Sequence, residues 1–384
     1  MKSRIKKIAM VIPKVGPVGG AERFAFEVAG HLSRNPEYEI HVFANMWQSD
    51  IHGVTFHKVP IITFPKFLTS ISFAYFARRK INQMNFDLVH THDRIFEADV
   101  FTMHGIPHRT WIKEIRGKKW MSLYDRATQW VEECILSSTR CVAFLPVSHL
   151  AQEKILKEFR VDPEKVQVIH PGVDIEKFQE LSRSQCRREM RKHFGISPSD
   201  VVILFVSMNF EIKGLDYIIN GIARAQSSHP ATTITLLVAG KGNDKIFHRQ
   251  AHNLGIGKNV IFAGVQKENL EKMYLASDLF MMLSRFDTFG IAVLEAMAAS
   301  LPVIVSGNVG AKDVIREGEN GFTIEDTQNT AMISEKIAVM LNEETRSEMA
   351  QEAYNASLDH SWQKVAGRIS TVYEKILTSN IIKQ

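Results

Sequence analysis

Short apolar runs alternate with amphipathic stretches along the whole chain, and this alternation constrains the fold more than any other feature. Residues 8–12, 39–44, 87–90, 142–146 and 166–170 read as strands. The pattern restarts with 201–207, 233–239, 259–263, 279–283 and 303–305. After the first strand, Ala25, Val28, Ala29 and Leu32 recur at helical spacing; after 201–207, Leu215, Ile218, Ile219, Ile222 and Ala225 do the same. Strands that are apolar on both faces must be covered on both faces, which means parallel sheets flanked by helices. The fold class expected is α/β, with a parallel sheet wound in each half of the chain.

The 384 residues exceed the roughly 250–300 at which a single core stops growing. Residues 1–175 are therefore expected to form one domain and 176–360 a second. The stretch 171–174 marks the break, and a polar, basic helix over 182–193 opens the second half. Residues 361–384 hold a last helix, around 362–377, that is expected to pack back on the first domain.

Composition (45% hydrophobic, 23% charged) is that of a folded globular chain, with disorder expected only at the last few residues. The three cysteines, Cys134, Cys141 and Cys186, form no C-x-x-C pair, which argues against a disulfide framework or a zinc site and for a reducing, cytoplasmic setting. The basic residues 2–7 precede an apolar run too short for a signal peptide, so a buried first strand is expected there. No uncharged apolar run approaches the roughly 18 residues that span a bilayer. The net charge of +5 suits an anionic partner (a nucleotide diphosphate, an acidic lipid surface or a phosphorylated acceptor) without choosing among them. No nucleic-acid-binding module is present.

Three strand–loop–helix junctions carry the chemistry. The first, residues 13–23, contains Gly16, Gly19 and Gly20 just ahead of a helix, where glycine permits close backbone approach and the helix start favours an anion. It lacks G-x-G-x-x-G spacing, and a plain tight turn fits it equally. The second, residues 207–214, sets Lys213 beside a helix start, where a full positive charge adds to the dipole and a diphosphate is the natural partner. A solvated lysine before a capping glycine is the plainer reading. The third, residues 284–298, is the most specific: Asp287 is followed by seven residues and then Glu295. Phe289 and Gly290 fall where the helix begins, so their N–H groups are open to phosphate oxygens. Glu295 lies about 7.5 Å further along the helix axis, with its side chain leaning back toward the start, placed to accept from ribose hydroxyls. Its apolar flanks make an unpartnered carboxylate costly there.

With these junctions in order, the chain resembles the retaining glycosyltransferases of the GT-B fold, carbohydrate-enzyme family four, over nearly its whole length. The Gly19–Arg23 loop, the 171–178 stretch, Lys213-Gly214, Gly240, the Asp287-to-Glu295 segment, residues 301–303, Gly310 and Asn320-Gly321 carry the likeness. The resemblance implies two facing Rossmann-like domains with a cleft between them, a nucleotide-sugar donor (UDP- or GDP-linked) held by the second domain and a glycan or glycolipid acceptor by the first. By position it implies Lys213 on the donor diphosphate, Phe289 and Gly290 supplying amides with Thr288 between them and Asp287, Glu295 on the ribose, and Asp287 on the sugar. Gly19 and Gly20 would approach the diphosphate from the other domain, and Asn209, Gly240 and Val265 would line the donor site. His104 matches a histidine near the reacting carbon, so His104, Lys213 and Asp287 are the catalytic candidates; a loop histidine with a structural hydrogen bond is the alternative for the first. Relatives commonly have glutamate where Asp287 stands and an arginine near the lysine. Here Glu211 and Ile212 precede Lys213, which leaves the phosphate to Lys213 or to a basic residue from elsewhere.

No metal or other cofactor is expected. No two aspartates stand two apart, and His104/His108 and His248/His252, though four apart, lack H-E-x-x-H chemistry. Two segments suit a lipid or anionic glycolipid surface: residues 64–81, with Phe67, Leu68, Ile71, Tyr75 and Phe76 before three basic residues, and residues 109–126, where six basic residues interleave with Trp111, Trp120 and Tyr124. A solvated helix packing its aromatics inward fits them as well. Similarity to lipopolysaccharide-core transferases points to a peripheral membrane contact and a glycolipid acceptor at the inner face of the cytoplasmic membrane. The same fold hosts nucleotide-sugar epimerases, and a nucleotide-sugar-binding protein with weak catalysis is a further alternative.

Overall fold

The computed structural model describes residues 4–17 and 19–382; the last residues, expected to be disordered, fall partly outside the described residues, as do Lys2 and Ser3. The chain divides into two units, residues 1–172 with 362–384 and residues 173–361. The division thus falls at Gly172/Val173, ahead of the expected 175/176.

In the first unit the strands of the main sheet are β1 (Lys6–Val11), β2 (Tyr38–Ala44), β3 (Val54–Lys58), β4 (Leu88–Thr91), β5 (Val100–Met103) and β6 (Ala143–Pro146). All pairings are parallel, in the order β3-β2-β1-β4-β5-β6. Helices α1 (Gly20–Leu32), α2 (Leu68–Ile81), α3 (Leu123–Leu136) and α4 (His149–Glu158) connect them. Successive residues of β1 face opposite sides of the sheet. Ile8 and Met10 pack with Phe24 and Val28 of α1, and Ala9 and Val11 with Phe73 and Ala77 of α2 and Val131 and Ile135 of α3.

In the second unit a short helical turn, Glu176–Gln179, precedes α5 (Arg183–Phe194), which is capped by Ser182, whose hydroxyl accepts from Gln185 N–H. Strands β7 (Val201–Ser207), β8 (Ile234–Gly240), β9 (Val260–Gly264), β10 (Leu279–Met282), β11 (Val303–Ser306) and β12 (Gly321–Ile324) form a second parallel sheet. Their order is β9-β8-β7-β10-β11-β12, the arrangement of the first sheet repeated. The helices α6 (Leu215–Ser228), α7 (Asp244–Asn253), α8 (Leu270–Ala276), α9 (Ile291–Ala298), α10 (Thr330–Val339) and α11 (Glu343–Ser357) cover it. This is the doubly wound, Rossmann-like order in both units. The last helix, α12 (Trp362–Ile382), belongs to the first unit, where Trp362, Val365, Ile369 and Tyr373 join the α1 side of the core.

One expected strand is absent. Residues 166–170 make a single bridge, Val166 to Phe144, and two further backbone bonds to the β6 edge. Pro163 opens a short turn ahead of this stretch and Pro171 follows it, so no ladder builds. Strands β3, β5 and β12 were not anticipated from the sequence. No described helix is long and apolar enough to cross a membrane.

Candidate active site

Sheets of this kind bind ligands outside the carboxyl ends of their strands, where the strand order reverses. In the second unit the reversal lies between β7 and β10. The loop leaving β7 carries Asn209 and Lys213; the loop leaving β10 carries Asp287 and runs into α9.

These two loops meet. Lys213 Nζ donates to Asp287 Oδ2, joining residues 74 positions apart. The other oxygen of Asp287 accepts from the backbone N–H of Phe289 at 3.3 Å. That amide was expected to be open to phosphate; a carboxylate already occupies it, because Asp287 folds back over the turn that starts α9. Gly290 caps the helix in a left-handed conformation (φ 91°), and half-buried Thr288 lies in the same turn. Further along α9, the Glu295 carboxylate accepts from Tyr274 Oη at 3.0 Å. Tyr274 is itself fully enclosed, with Phe178 and Phe280 against its ring.

The basic residue beside Lys213 is Arg285. Its backbone N–H bonds Ile212 O at 2.8 Å, and its guanidinium bonds Glu211 O, pairs with Asp216 at 2.7 Å and lies 4.6 Å from the Tyr217 ring. Arg285 is thus engaged by Asp216 as Lys213 is by Asp287, which gives each cation of the two loops its own carboxylate. Asn209 shapes the loop: its Oδ1 accepts from Ile212 N–H at 3.0 Å. Gly240 ends β8 in register with Ser207, so close that a Cβ there would lie 1.7 Å from Ser207 O. Val265, beyond β9, is half exposed.

The first unit has a cavity of about 280 Å³ at the corresponding place, outside the ends of β1, β4 and β5. Pro13, Lys14, Glu22, His92, Arg94 and His104 are among its lining residues. Gly19 caps α1, with the Glu22 carboxylate folded against it, and Gly20 is the first helical residue; both are exposed. His104 sits in the loop after β5 rather than on a helix, and His108 pairs with Asp125 at 3.1 Å, so the two lack the helical metal spacing. Arg94 is fixed by Glu132 at 2.8 Å, and Glu132 also accepts from His108 N–H at 2.7 Å.

Behind the cavity stands a row of histidines. His104 Nε2 lies 3.1 Å from His92 Nδ1; His90, whose ring lies 4.3 Å from that of His92, bonds Tyr373 Oη at 2.6 Å and Thr102 Oγ1 at 2.7 Å. Burial pushes the pKa of His104 down to about 3, and burial with the neighbouring His104 does the same to His90. His92 is likewise held well below the usual range by burial, then by His90 and His104. All three are neutral near pH 7. Tyr274, Arg285 and His92 escaped the sequence reading. Of these, only the histidine row had a signal in the sequence: His90 and His92 are two apart at a strand end and so on one face.

Two doubly wound units, each with its charged or hydrogen-bonding groups gathered at the strand-order reversal, are the architecture of the GT-B glycosyltransferases. The chain belongs to the family 4/group 1 glycosyltransferases: residues 18–177 match the family described as Glycosyltransferase Family 4, and residues 187–356 that described as Glycosyl transferases group 1. It is 27% identical over 343 residues to an uncharacterized glycosyltransferase of Methanocaldococcus jannaschii, spanning 83% of this chain and 85% of that protein. It is 26% identical to Spore coat protein SA of Bacillus subtilis (77% and 80% covered) and 25% identical to a D-inositol 3-phosphate glycosyltransferase of Corynebacterium efficiens (59% and 54% covered). Among solved structures, WaaG, a glycosyltransferase involved in lipopolysaccharide biosynthesis, shares the fold with a TM-score of 0.78 at 19% identity (95% and 99% covered). Anabaena HepE, solved in complex with UDP and glucose, does so with a TM-score of 0.70 at 18% identity (96% and 100% covered).

Proposed function

We propose that this glycosyltransferase moves a hexose-type sugar from a UDP- or GDP-sugar to a glycan or glycolipid acceptor, with retention of anomeric configuration and without a metal ion. The observation that carries the reading is the meeting of Lys213 and Asp287 at the start of α9, with Glu295 held by Tyr274 further along the same helix. A diphosphate entering there would compete with Asp287 for Lys213 and take the amides of the helix start. Glu295, oriented by Tyr274, would receive the ribose hydroxyls, and Asp287, released from Lys213, would face the sugar. The HepE complex makes a UDP-sugar the first donor to try.

In the reaction the sugar C1–O bond breaks and negative charge grows on the departing diphosphate. Lys213 and the helix start act on that charge where it develops, which lowers the barrier more than it stabilises the bound donor. The acceptor hydroxyl attacks from the leaving group's side and passes its proton to the departing phosphate. His104, neutral because of its low pKa, serves by hydrogen bonding rather than by carrying a proton. To test this reading, the purified protein is incubated with UDP-, GDP- and ADP-sugars, with and without EDTA, and released nucleotide diphosphate is quantified. EDTA-resistant release from one donor is expected; failure of every donor to bind would overturn the proposal.

A membrane-bound, glycolipid acceptor, such as lipopolysaccharide core, is favoured by one arrangement in the first unit. The segments 64–81 and 109–126 adjoin, with Lys66 Nζ 5.0 Å from the Tyr124 ring, and just beyond the second segment Thr128 bonds Ser70 at 3.1 Å. They present Phe64, Trp120 and Leu123, respectively 88%, 84% and 70% exposed, beside Arg116, Lys118 and Lys119. Exposed apolar groups among cations suit an anionic bilayer surface. Co-sedimentation with vesicles containing anionic lipid, lost in a Trp120→Ser/Leu123→Ser variant and absent with neutral vesicles, is the expected result.

A further inference from the structure

We propose that His92 is a positioning residue for the cavity of the first unit: it donates from Nδ1 to His104 Nε2 and so leaves His104 presenting Nδ1–H to an oxygen of the bound ligand. The reading of His104 as a ligand contact rests on the function proposed above; the direction of the His92–His104 hydrogen bond does not.

A bond between two neutral imidazoles can run either way, and each direction fixes the tautomers of both rings. The nitrogen of His92 that is not in the bond decides between them. His92 is 3% exposed, and among the described residues its Nε2 is buried without a hydrogen-bond partner. Were the bond reversed, His92 would carry its proton on Nε2, leaving an N–H donor sealed in the fold with nothing to accept it. Orphaned buried N–H groups are rarer than under-satisfied acceptors. The arrangement that leaves only a lone pair unmatched puts the His92 proton on Nδ1, aimed at His104 3.1 Å away. His104 Nε2 is then the acceptor, and the proton of the neutral ring must sit on Nδ1.

The support behind His92 is rigid. The His90 ring lies 4.3 Å from it and is tied at both nitrogens, to Tyr373 of α12 and Thr102 of β5. Phe24 of α1 stands edge-on to His104 at 4.9 Å. A His104 ring held this way offers one fixed N–H to the cavity it lines, suited to a hydroxyl or other acceptor oxygen of a ligand.

The test begins without any ligand. Histidine-¹⁵N-labelled full-length protein is studied by NMR near pH 7, where nitrogen shifts distinguish the two tautomers. His104 is expected to be protonated at Nδ1 and His92 at Nδ1; a His104 protonated at Nε2 overturns the proposal whatever the variants do. His92→Asn can place an amide N–H near the lost Nδ1–H, whereas His92→Phe cannot. His92→Asn is expected to keep the His104 tautomer, and His92→Phe to lose it. In donor turnover, His92→Phe should lower kcat by up to about 10²-fold, the scale of a misplaced contact, with the donor KM little changed and kcat largely restored in His92→Asn. Equal losses in both variants with the tautomer unchanged would make His92 structural only. Wild-type protein that shows the tautomer but binds no donor would refute the proposed function and leave the hydrogen-bond assignment standing.

Discussion

At the scale of single residues, the Lys213–Asp287 pair separates stability from function. The two side chains are 23% and 20% exposed, so water screens the pair and its worth to the fold is about 1 kcal/mol or less. Lys213→Ala should therefore leave thermal unfolding nearly unchanged. On the proposed mechanism turnover should fall about 10²-fold or more, because the charge that would act on the departing diphosphate is lost. A variant that turns over donor at the wild-type rate would remove Lys213 from the site. The buried histidines behave in the opposite way. His90 is fully enclosed, and its pKa is held to about 3 by burial and by His104, against about 6.5 in an unfolded chain. Between these values the unfolded chain binds the extra proton, so the stability present above pH 6.5 is lost as pH falls. The slope is about 1.4 kcal/mol per pH unit for such a group. His92, His104 and Tyr373 are the titratable groups around His90. Urea midpoints at pH 7, 6 and 5 should fall more steeply for wild type than for His90→Gln; parallel lines would show that His90 is not the group responsible.

At the scale of elements, the strand ends place the site, and they were only partly legible. Strand 201–207 and the helix carrying Leu215 to Ala225 appear where apolar patterning puts them, because uninterrupted burial on both faces leaves a clear signal. Strand β3 escaped because it is a half-exposed edge strand with no continuous apolar run; β5 escaped although it is no shorter than β4 or β6. Residues 289–290 were expected to open a helix, and α9 begins at Ile291 with Gly290 as its cap. The Lys213–Asp287 contact was not readable, since it depends on β7 and β10 being neighbours in the sheet while lying far apart in the chain. Gly240 shows what strand packing demands. Its φ of 122° and its contact with Ser207 O leave no space for a Cβ, whereas Gly264 (φ 68°) has nothing within 4 Å. Gly264→Ala should cost only the backbone strain, about 1–2 kcal/mol. Gly240→Ala must also shift β8 from β7, so its unfolding temperature should drop further, by more than about 5 °C below wild type. Equal thermal shifts for the two would mean that the β7–β8 contact yields freely.

At the scale of the whole molecule, the chain crosses into the second unit after Gly172 and returns to the first at Trp362. The repeat of one strand order in both units was visible in the sequence only as two rounds of alternating strands and helices. What the return does is explained by packing. Helix α12 inserts Trp362, Val365, Ile369, Val372, Tyr373 and Leu377 into the core shared by β1 and α1, and its Tyr373 hydroxyl is the partner of His90. At about 1.5–3 kcal/mol for each large side chain removed from water, this burial is comparable with the entire net stability of an ordinary domain, about 5–15 kcal/mol. The first unit is therefore incomplete without the last segment of the chain, while residues 173–361 contain all strands of their own sheet. A chain ending at residue 361 should accordingly lose its first unit selectively. Limited proteolysis should degrade residues 1–172 and leave a resistant fragment spanning 173–361, whereas the full chain should protect both. A resistant fragment covering residues 1–172 in the truncated chain would show that α12 is an accessory to the first unit, and that the histidine row behind the cavity stands without it.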